Sequence, residues 1–321
     1  MSTNYISYSG FSTNNKCPYA YWNKYIAHTT VSELENGINA LYGSTVGMIF
    51  ESFYKDMLWR DARPVVRLQS LAVPYLDAAI ADTKKKGRSI DWGDEKANYH
   101  SKSEILKDVI ETIPIGLDTI RRNRLVGPRM EAELKLDTKF GGYIMGGRSD
   151  FVIQRLPPFN DLVILDGKGS KHREKYVDGS PLKKGAKVEG VQLKWYAVLY
   201  RAKRNIVPDK LGYLFWRFSG DESMEWVTFS ERDLDDLKAE VLSIIARIDK
   251  SVRKLDDASG TPQAQDELRQ ELFPAQPSHN CTLCSFVTIC EEGQKEIQKY
   301  RRRARLNLPA GVTELTLGSD D

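Results

Sequence analysis

The chain has 321 residues, of which 41% are hydrophobic, 10% aromatic and 28% charged. This composition supports a folded core and excludes a wholly disordered chain, a collagen and a coiled coil. The 47 basic and 44 acidic residues give a net charge of only +3, so nucleic-acid binding has to be argued from local chemistry. No apolar run suits a transmembrane helix or a secretory signal, and we therefore expect a cytoplasmic protein with no membrane partner.

Helical spacing of apolar residues dominates the first part of the chain, after a polar arm at residues 1–16. The predicted helices cover residues 17–28, 44–59, 68–86 and 103–122. Pro114 should break or kink the last of them, because proline lacks the amide proton that an internal helical position donates. We divide this part into an arm with the first cysteine, residues 1–30, and a helical region, residues 31–128.

The middle of the chain changes to the alternation of apolar and polar residues that is typical of strands. The predicted strands cover residues 130–137, 149–154, 161–168, 211–218 and 224–229, and the helices that follow the third and the fifth cover residues 189–204 and 231–254. Ser230 and Asp233 resemble a capping box at the start of the second helix. This order predicts an α/β core at residues 129–255, followed at 256–321 by a linker, a cysteine-bearing segment and a charged tail.

A carboxylate and a lysine end the most apolar predicted strand, LVILDGK at 162–168. Because side chains alternate along a strand, Asp166 and Lys168 share one face, with Cα atoms about 6.8 Å apart. Asp150 lies in the preceding strand, where a meander can bring it opposite Asp166. Two close carboxylates repel unless a cation lies between them, and Mg²⁺ prefers such oxygen ligands. With Lys168 to orient water, these residues suit phosphodiester hydrolysis; the alternative is an ordinary Asp–Lys ion pair.

The next predicted helix carries Gln192 and Tyr196, which are four residues apart and so lie on one helical face. Both side chains can reach Lys168 or a phosphate from there. The alternative is a half-exposed tyrosine with no role at the site.

All four cysteines of the chain fit a single site. Cys281, Cys284 and Cys290 form the pattern C-x₂-C-x₅-C, and Cys17 lies near the other end of the chain. Three interpretations stay open, namely unrelated core cysteines, a structural zinc ion or a [4Fe–4S] cluster, because both metal centres accept four thiolates. The spacing alone does not choose between them.

In this order, the motifs resemble the RecB-like branch of the PD-(D/E)XK nucleases. That branch shows G-x-x-D, then (D/E)-x-K, then Q-x-x-x-Y, which correspond to Gly147–Asp150, Asp166–Lys168 and Gln192–Tyr196. The branch also has an upstream helix in which a glycine is followed four residues on by histidine. Here Gly47 is followed by Glu51, which can still be a metal ligand.

The resemblance implies a restriction-endonuclease-like fold, in which a mixed central sheet is flanked by helices. The implied ligands of Mg²⁺ or Mn²⁺ are Glu51, Asp150, Asp166 and the carbonyl of Gly167. The implied catalytic residues are Asp150, Asp166, Lys168, Gln192 and Tyr196. In these roles Lys168 assists the attacking water, and the glutamine and tyrosine position the lysine or the DNA strand.

One subgroup of this branch, with the CRISPR-associated exonucleases and the AddB nuclease domain, has one cysteine before the nuclease core and three after it. Those four cysteines hold an iron–sulfur cluster, so the resemblance favours [4Fe–4S] over zinc and joins the N- and C-terminal segments at a Cys₄ site. It implies exonuclease action on DNA ends or single strands in recombination, repair, phage or CRISPR-related processing, with protein partners in a complex. The alternative is a non-catalytic nucleic-acid-binding or scaffold subunit.

Two basic segments, Lys168–Lys175 and Lys183–Lys187, follow the predicted centre directly. Loops rich in lysine and glycine suit contact with a phosphate backbone without reading of sequence. The alternative for both is a solvated surface loop. The basic run at 299–305 can likewise bind DNA or interact with the end of a helix.

Overall fold

The computed structural model describes residues 4–31, 37–95, 97–169 and 190–306. It divides into two compact units. Within the described residues, the smaller unit is built from 9–31 and 250–306, and the larger unit from 4–8 and 37–249. Both sheets belong to the larger unit, and all four cysteines belong to the smaller one.

The described residues form eight strands and ten α-helices. The strands are β1 (Tyr5–Ser7), β2 (Arg129–Lys135), β3 (Thr138–Phe140), β4 (Tyr143–Gly146), β5 (Arg148–Gln154), β6 (Leu162–Lys168), β7 (Lys210–Phe215) and β8 (Met224–Val227). The helices are α1 (Tyr8–Lys16), α2 (Pro18–Tyr21), α3 (Ile38–Lys55), α4 (Pro64–Ser70), α5 (Ala72–Lys85), α6 (Lys102–Arg122), α7 (Val191–Arg204), α8 (Glu231–Asp256), α9 (Pro262–Leu272) and α10 (Glu291–Leu306).

The central sheet has five strands in the order β2-β5-β6-β7-β8. The β6–β7 pair is parallel and the other three pairs are antiparallel. A second sheet, β1-β4-β3, combines one parallel and one antiparallel pair. The predicted α/β class with a mixed central sheet flanked by helices is therefore confirmed.

Apolar side chains on one face of the central sheet form the main core with α3, α5 and α6. These sheet residues are Phe151, Ile153, Val163, Leu165, Leu214 and Trp216. Because side chains alternate across a sheet, Asp150, Asp166 and Lys168 lie on the opposite face. Helix α7 packs against β6 and β7, and it brings its own polar side chains to those residues.

Two local predictions were wrong. The arm predicted at residues 1–16 contains β1, which pairs in parallel with β4, and then α1. The linker predicted from composition contains α9, because Thr261 accepts a hydrogen bond from the amide of Ala264 and Pro262 fits the first turn. Of the break or kink predicted at Pro114, the break is absent, because helix α6 continues through this residue.

The capping box predicted for α8 is present. The amide of Ser230 donates to Asp233 Oδ2 at 2.8 Å, and the amide of Asp233 donates to Ser230 Oγ at 3.2 Å. Among the described residues, no helix combines the length and the apolar character that crossing a membrane requires.

Candidate active site

Two carboxylates face each other where β5 begins and β6 ends. The antiparallel register pairs Phe151 with Leu165 and Val152 with Ile164, and its next step places Asp150 opposite Asp166. The amide of Gly167 donates to Asp150 Oδ2 at 2.8 Å. The strand pairing therefore brings together the two aspartates predicted from the motif spacing.

Lys168 completes the arrangement on the same face of β6. Its Nζ lies 2.5 Å from Asp166 Oδ2 and donates to Gln192 Oε1 at 3.2 Å. The contact with Asp166 is an ion pair by distance but does not meet hydrogen-bond geometry, so this buried oxygen makes no hydrogen bond within the described residues. Gln192 Nε2 in turn donates to the hydroxyl of Tyr196 at 2.9 Å. Lys168, Gln192 and Tyr196 thus form one chain of contacts that starts at Asp166.

Burial and like charge dominate the electrostatics. Burial, and then the neighbouring Asp166, hold the pKa of Asp150 well above its usual range, although the Gly167 amide opposes the rise. Burial also raises the pKa of Tyr196, and the charge of Asp166 adds to the effect. The Tyr196 hydroxyl therefore stays protonated at neutral pH. Lys168 lowers the pKa of Asp150 by less than burial and Asp166 raise it.

Glu51, in helix α3, lines a cavity that Asp150 also lines. An open cavity of about 520 Å³ is lined by Glu51, Asp150 and Gly167 together with the small residues Gly43 and Gly47. Glu51 itself pairs with Lys55 one helical turn further on. In the described part of the chain, no three His, Cys, Asp or Glu side chains stand close enough to hold one metal ion. Glu51 therefore shares the cavity with Asp150 without forming a three-carboxylate set.

A further carboxylate, Glu133, was missed by the sequence analysis. The β2–β5 register pairs Ala132 with Phe151 and Leu134 with Ser149, so Glu133 lies opposite Asp150. Glu133 lines the same cavity, and its charge contributes to the raised pKa of Asp150. Its backbone φ of 53° is unusual for a residue other than glycine and interrupts the ladder there. Strand alternation marks Glu133 only as one of several charges in β2, and the pairing register is needed to find it.

The donors present suit a divalent cation. Asp150 and Asp166 offer hard oxygen ligands, and the buried Asp166 Oδ2 has no hydrogen bond among the described residues. A cation between the aspartates would relieve the repulsion that raises the pKa of Asp150. Gly167, whose carbonyl is the further implied ligand, directly follows Asp166 in the sequence.

The four cysteines surround one cavity in the smaller unit. Cys17, Cys281, Cys284 and Cys290 all line a void of about 290 Å³, and none forms a disulfide. Backbone amides donate to three of the sulfurs, at 3.5 Å to Cys17, 3.4 Å to Cys281 and 3.3 Å to Cys290. Burial raises the pKa of Cys284 and of Cys290, and the other thiols add to the rise. The structure thus gathers all four predicted cysteines around one space.

Aromatic contacts within this unit connect the segment after Cys17 to the segment that carries the other cysteines. The Tyr19 hydroxyl donates to the carbonyl of Ile289 at 2.9 Å, and the amide of Tyr19 donates to the carbonyl of Pro274 at 3.2 Å. The rings of Trp22 and Phe273 lie 4.9 Å apart. These contacts hold Cys17 beside residues that are distant in sequence.

Most of the predicted DNA-contacting segments lie outside the described residues. Of Lys168–Lys175, only Lys168 and Gly169 are described, and Lys183–Lys187 is not described at all. The run at 299–305 falls in helix α10.

The fold and the site define a mixed α/β protein with two opposed carboxylates and a lysine at the end of paired strands. The sequence model of the PD-(D/E)XK nuclease superfamily matches residues 5–291. The chain belongs to this superfamily.

Two solved structures are similar to the chain. The crystal structure of a candidate exonuclease from Eubacterium rectale is 14% identical, with a TM-score of 0.43, over 98% of this chain and 94% of that one. The crystal structure of SSO0001 is 15% identical, with a TM-score of 0.27, over 88% and 95% of the two chains. No curated protein matches the sequence significantly.

Proposed function

We propose that the chain is a metal-dependent deoxyribonuclease that acts as an exonuclease on DNA ends or single strands. The observation that carries the proposal is the placement of Asp150 opposite Asp166, with Lys168 held against Asp166. Burying two like charges side by side is unfavourable, and a protein that only binds DNA has no need of it. A hydrolase needs such a pair to hold a cation at the scissile phosphate.

Asp150, Asp166 and the carbonyl of Gly167 would hold Mg²⁺ or Mn²⁺, with Glu51 across the cavity. When bound, the cation supplies Lewis-acid stabilisation of negative charge on the phosphate and acidifies a water molecule. Lys168, whose ammonium contacts Asp166 and Gln192, orients the attacking water and offsets charge on the phosphate.

Gln192 and Tyr196 act on the lysine. Gln192 accepts from the Lys168 ammonium and donates to the Tyr196 hydroxyl, so the lysine is held in one orientation. The Tyr196 hydroxyl keeps its proton at neutral pH and accepts the hydrogen bond that fixes Gln192. The exonuclease assignment and a role in recombination, repair, phage or CRISPR-related processing are supported by the resemblance to the RecB-like branch.

For the cysteines we favour a [4Fe–4S] cluster over zinc. Zinc–sulfur bonds of about 2.3 Å would gather four thiolates within about 4 Å of one another. A four-iron cluster is larger and spaces its thiolates further apart. The cavity lined by all four thiols supports a shared metal centre, and the resemblance to the iron–sulfur subgroup favours the cluster over zinc. Amide–sulfur hydrogen bonds are also common around such clusters and tune their potential.

The test is cleavage of end-labelled single- and double-stranded DNA with Mg²⁺, Mn²⁺ or EDTA. Wild type should release label only with a divalent cation, and Lys168→Ala should not. Lys210→Ala is the matched control, because Lys210 lies at the other end of the neighbouring strand β7. Metal-dependent binding of DNA without any cleavage by a folded wild type would favour a scaffold subunit instead.

A further inference from the structure

Four segments of the larger unit converge on the chain immediately after Lys168. Arg217 follows β7, and its Nε donates to the carbonyl of Gly169 at 3.0 Å. Its Nη1 donates to Asp108 Oδ2 in α6 at 2.8 Å, and its Nη2 donates to the hydroxyl of Tyr99. The guanidinium carbon also lies 3.5 Å from the ring centroid of Tyr42 in α3. The Arg217 side chain thus links Gly169 to helices α3 and α6.

The partners of Arg217 are themselves fixed. The Tyr99 hydroxyl donates to Asp108 Oδ2 at 2.7 Å, and the Tyr42 hydroxyl shares a 2.7 Å hydrogen bond with Thr112. The Arg217 side chain is only 14% exposed. Such a buried network has few alternative arrangements, because each lost contact would leave a buried polar group unsatisfied.

Gly169 packs closely against α3. A Cβ atom at this position would lie 3.1 Å from the Cα of Gly43 and 3.1 Å from the ring of Tyr42. Because Gly169 is next to Lys168 in the chain, its placement fixes where the lysine backbone leaves β6. The amide of Trp216 donates to the Lys168 carbonyl at 3.1 Å and so holds the preceding peptide, which joins Lys168 to Gly169.

On the basis of the proposed nuclease activity, we infer that Arg217 is a positioning residue for Lys168, acting through the Gly169 carbonyl. It fixes the end of β6 so that the lysine ammonium reaches Asp166 and Gln192 together. A lysine at position 217 would keep the charge but lose the planar fork that contacts Gly169 and Asp108 at the same time.

The test compares Arg217→Lys with Arg155→Lys. Arg155 is a matched control, because it is also buried, makes a two-pronged ion pair with Asp161 and lies 4.0 Å over the ring of Phe159. Its pair lies at the opposite end of β6, about 20 Å away by strand rise. Well below both melting temperatures, Arg217→Lys should lower kcat on end-labelled DNA at least tenfold and leave KM within threefold. Arg155→Lys should change neither.

Hydrogen exchange supplies a second readout that does not need activity. Amides of residues 162–169 should exchange at least tenfold faster in Arg217→Lys than in wild type. In Arg155→Lys, the amides near Lys168 should exchange at the wild-type rate. If Arg217→Lys fails to fold, Asp108→Asn carries the same two measurements, with smaller changes in the same direction.

The inference is overturned if Arg217→Lys and Arg155→Lys behave alike, or if kcat falls while exchange at residues 162–169 does not change. A wild type without nuclease activity would refute the proposed function alone. In that case the exchange rates of Arg217→Lys decide whether Arg217 positions the end of β6. Faster exchange at residues 162–169 supports this role, and an unchanged rate overturns it.

Discussion

Replacing Asp166 with asparagine should separate catalysis from stability. The side chain of Asp166 is 4% exposed, it lies opposite Asp150, and its charge contributes to the raised pKa of that residue. Opposed positions of an antiparallel pair are about 5 Å apart, where two unit charges repel by about 3 kcal/mol at an effective dielectric constant of 20. The substitution removes this repulsion. It also breaks the buried ion pair with Lys168, which costs about 3–5 kcal/mol and so is of similar size and opposite sign. The two effects should nearly cancel.

We therefore expect Asp166→Asn to melt within about 3 °C of wild type, because about 1 kcal/mol corresponds to 2–4 °C in a chain of this size. Cleavage should fall about 10³-fold, since a lost metal ligand forfeits several kcal/mol of transition-state stabilisation. The assays are thermal melting followed by circular dichroism and release of label from DNA with Mn²⁺.

Asp161→Asn is the matched control, because Asp161 is a largely buried aspartate at the far end of the same strand pair. It forms hydrogen bonds of 2.6 and 2.5 Å with Arg155. Its loss leaves a buried guanidinium without its main partner and should cost about 2 kcal/mol, or 4–8 °C, with unchanged cleavage. The reasoning is refuted if Asp166→Asn melts as low as Asp161→Asn and loses no more activity, because Asp166 would then be a structural ion-pair residue.

Three further predictions concern other parts of the chain. Cys284→Ser should lower the iron and sulfide content of anaerobically purified protein and its absorbance near 400 nm, whereas zinc without iron in wild type would contradict the cluster. Arg155 holds the pKa of Asp161 below its usual range. The stabilisation of the fold by ionised Asp161 is therefore present above the unfolded pKa of about 3.9 and is lost as pH falls through the lower folded pKa. Urea titrations in this acid range should show that the free energy of unfolding depends less on pH in Asp161→Asn than in wild type. Tyr196→Phe removes the acceptor of the Gln192 amide and should lower kcat about tenfold without lowering the melting temperature by more than a few degrees; unchanged kcat would show that the hydroxyl does not act at the site.

Much of the site could be predicted from the sequence because its determinants are local. Strand alternation places Asp166 and Lys168 on one face, and helical spacing places Gln192 beside Tyr196. The hydrogen bonds from Lys168 to Gln192 and from Gln192 to Tyr196 agree with that expectation. These residues remain predicted catalytic residues until cleavage is measured.

The remainder depends on long-range pairing. Glu133 lies beside Asp150 only through the β2–β5 register, and Arg217 contacts Asp108 across 109 positions in the sequence. Neither relation leaves a periodic pattern that a sequence analysis can detect. Composition predicted a linker where helix α9 lies, because proline and polar residues occur in a capped helix as well as in a linker.

The sequence Asp-Gly-Lys-Gly at 166–169 can be explained by what surrounds it. A Cβ at Gly167 would lie 2.7 Å from the indole nitrogen of Trp216, whose ring is stacked on Phe50 of α3 at 4.0 Å. On the other side of the lysine, a Cβ at Gly169 would lie 3.1 Å from the Cα of Gly43 in α3. Each glycine therefore lets an aromatic residue or a helix approach the backbone directly, and Lys168 is held between two rigid contacts. A strand end that only carried a surface ion pair would not need either contact, and the two contacts therefore support the proposal that this tetrapeptide belongs to the active site.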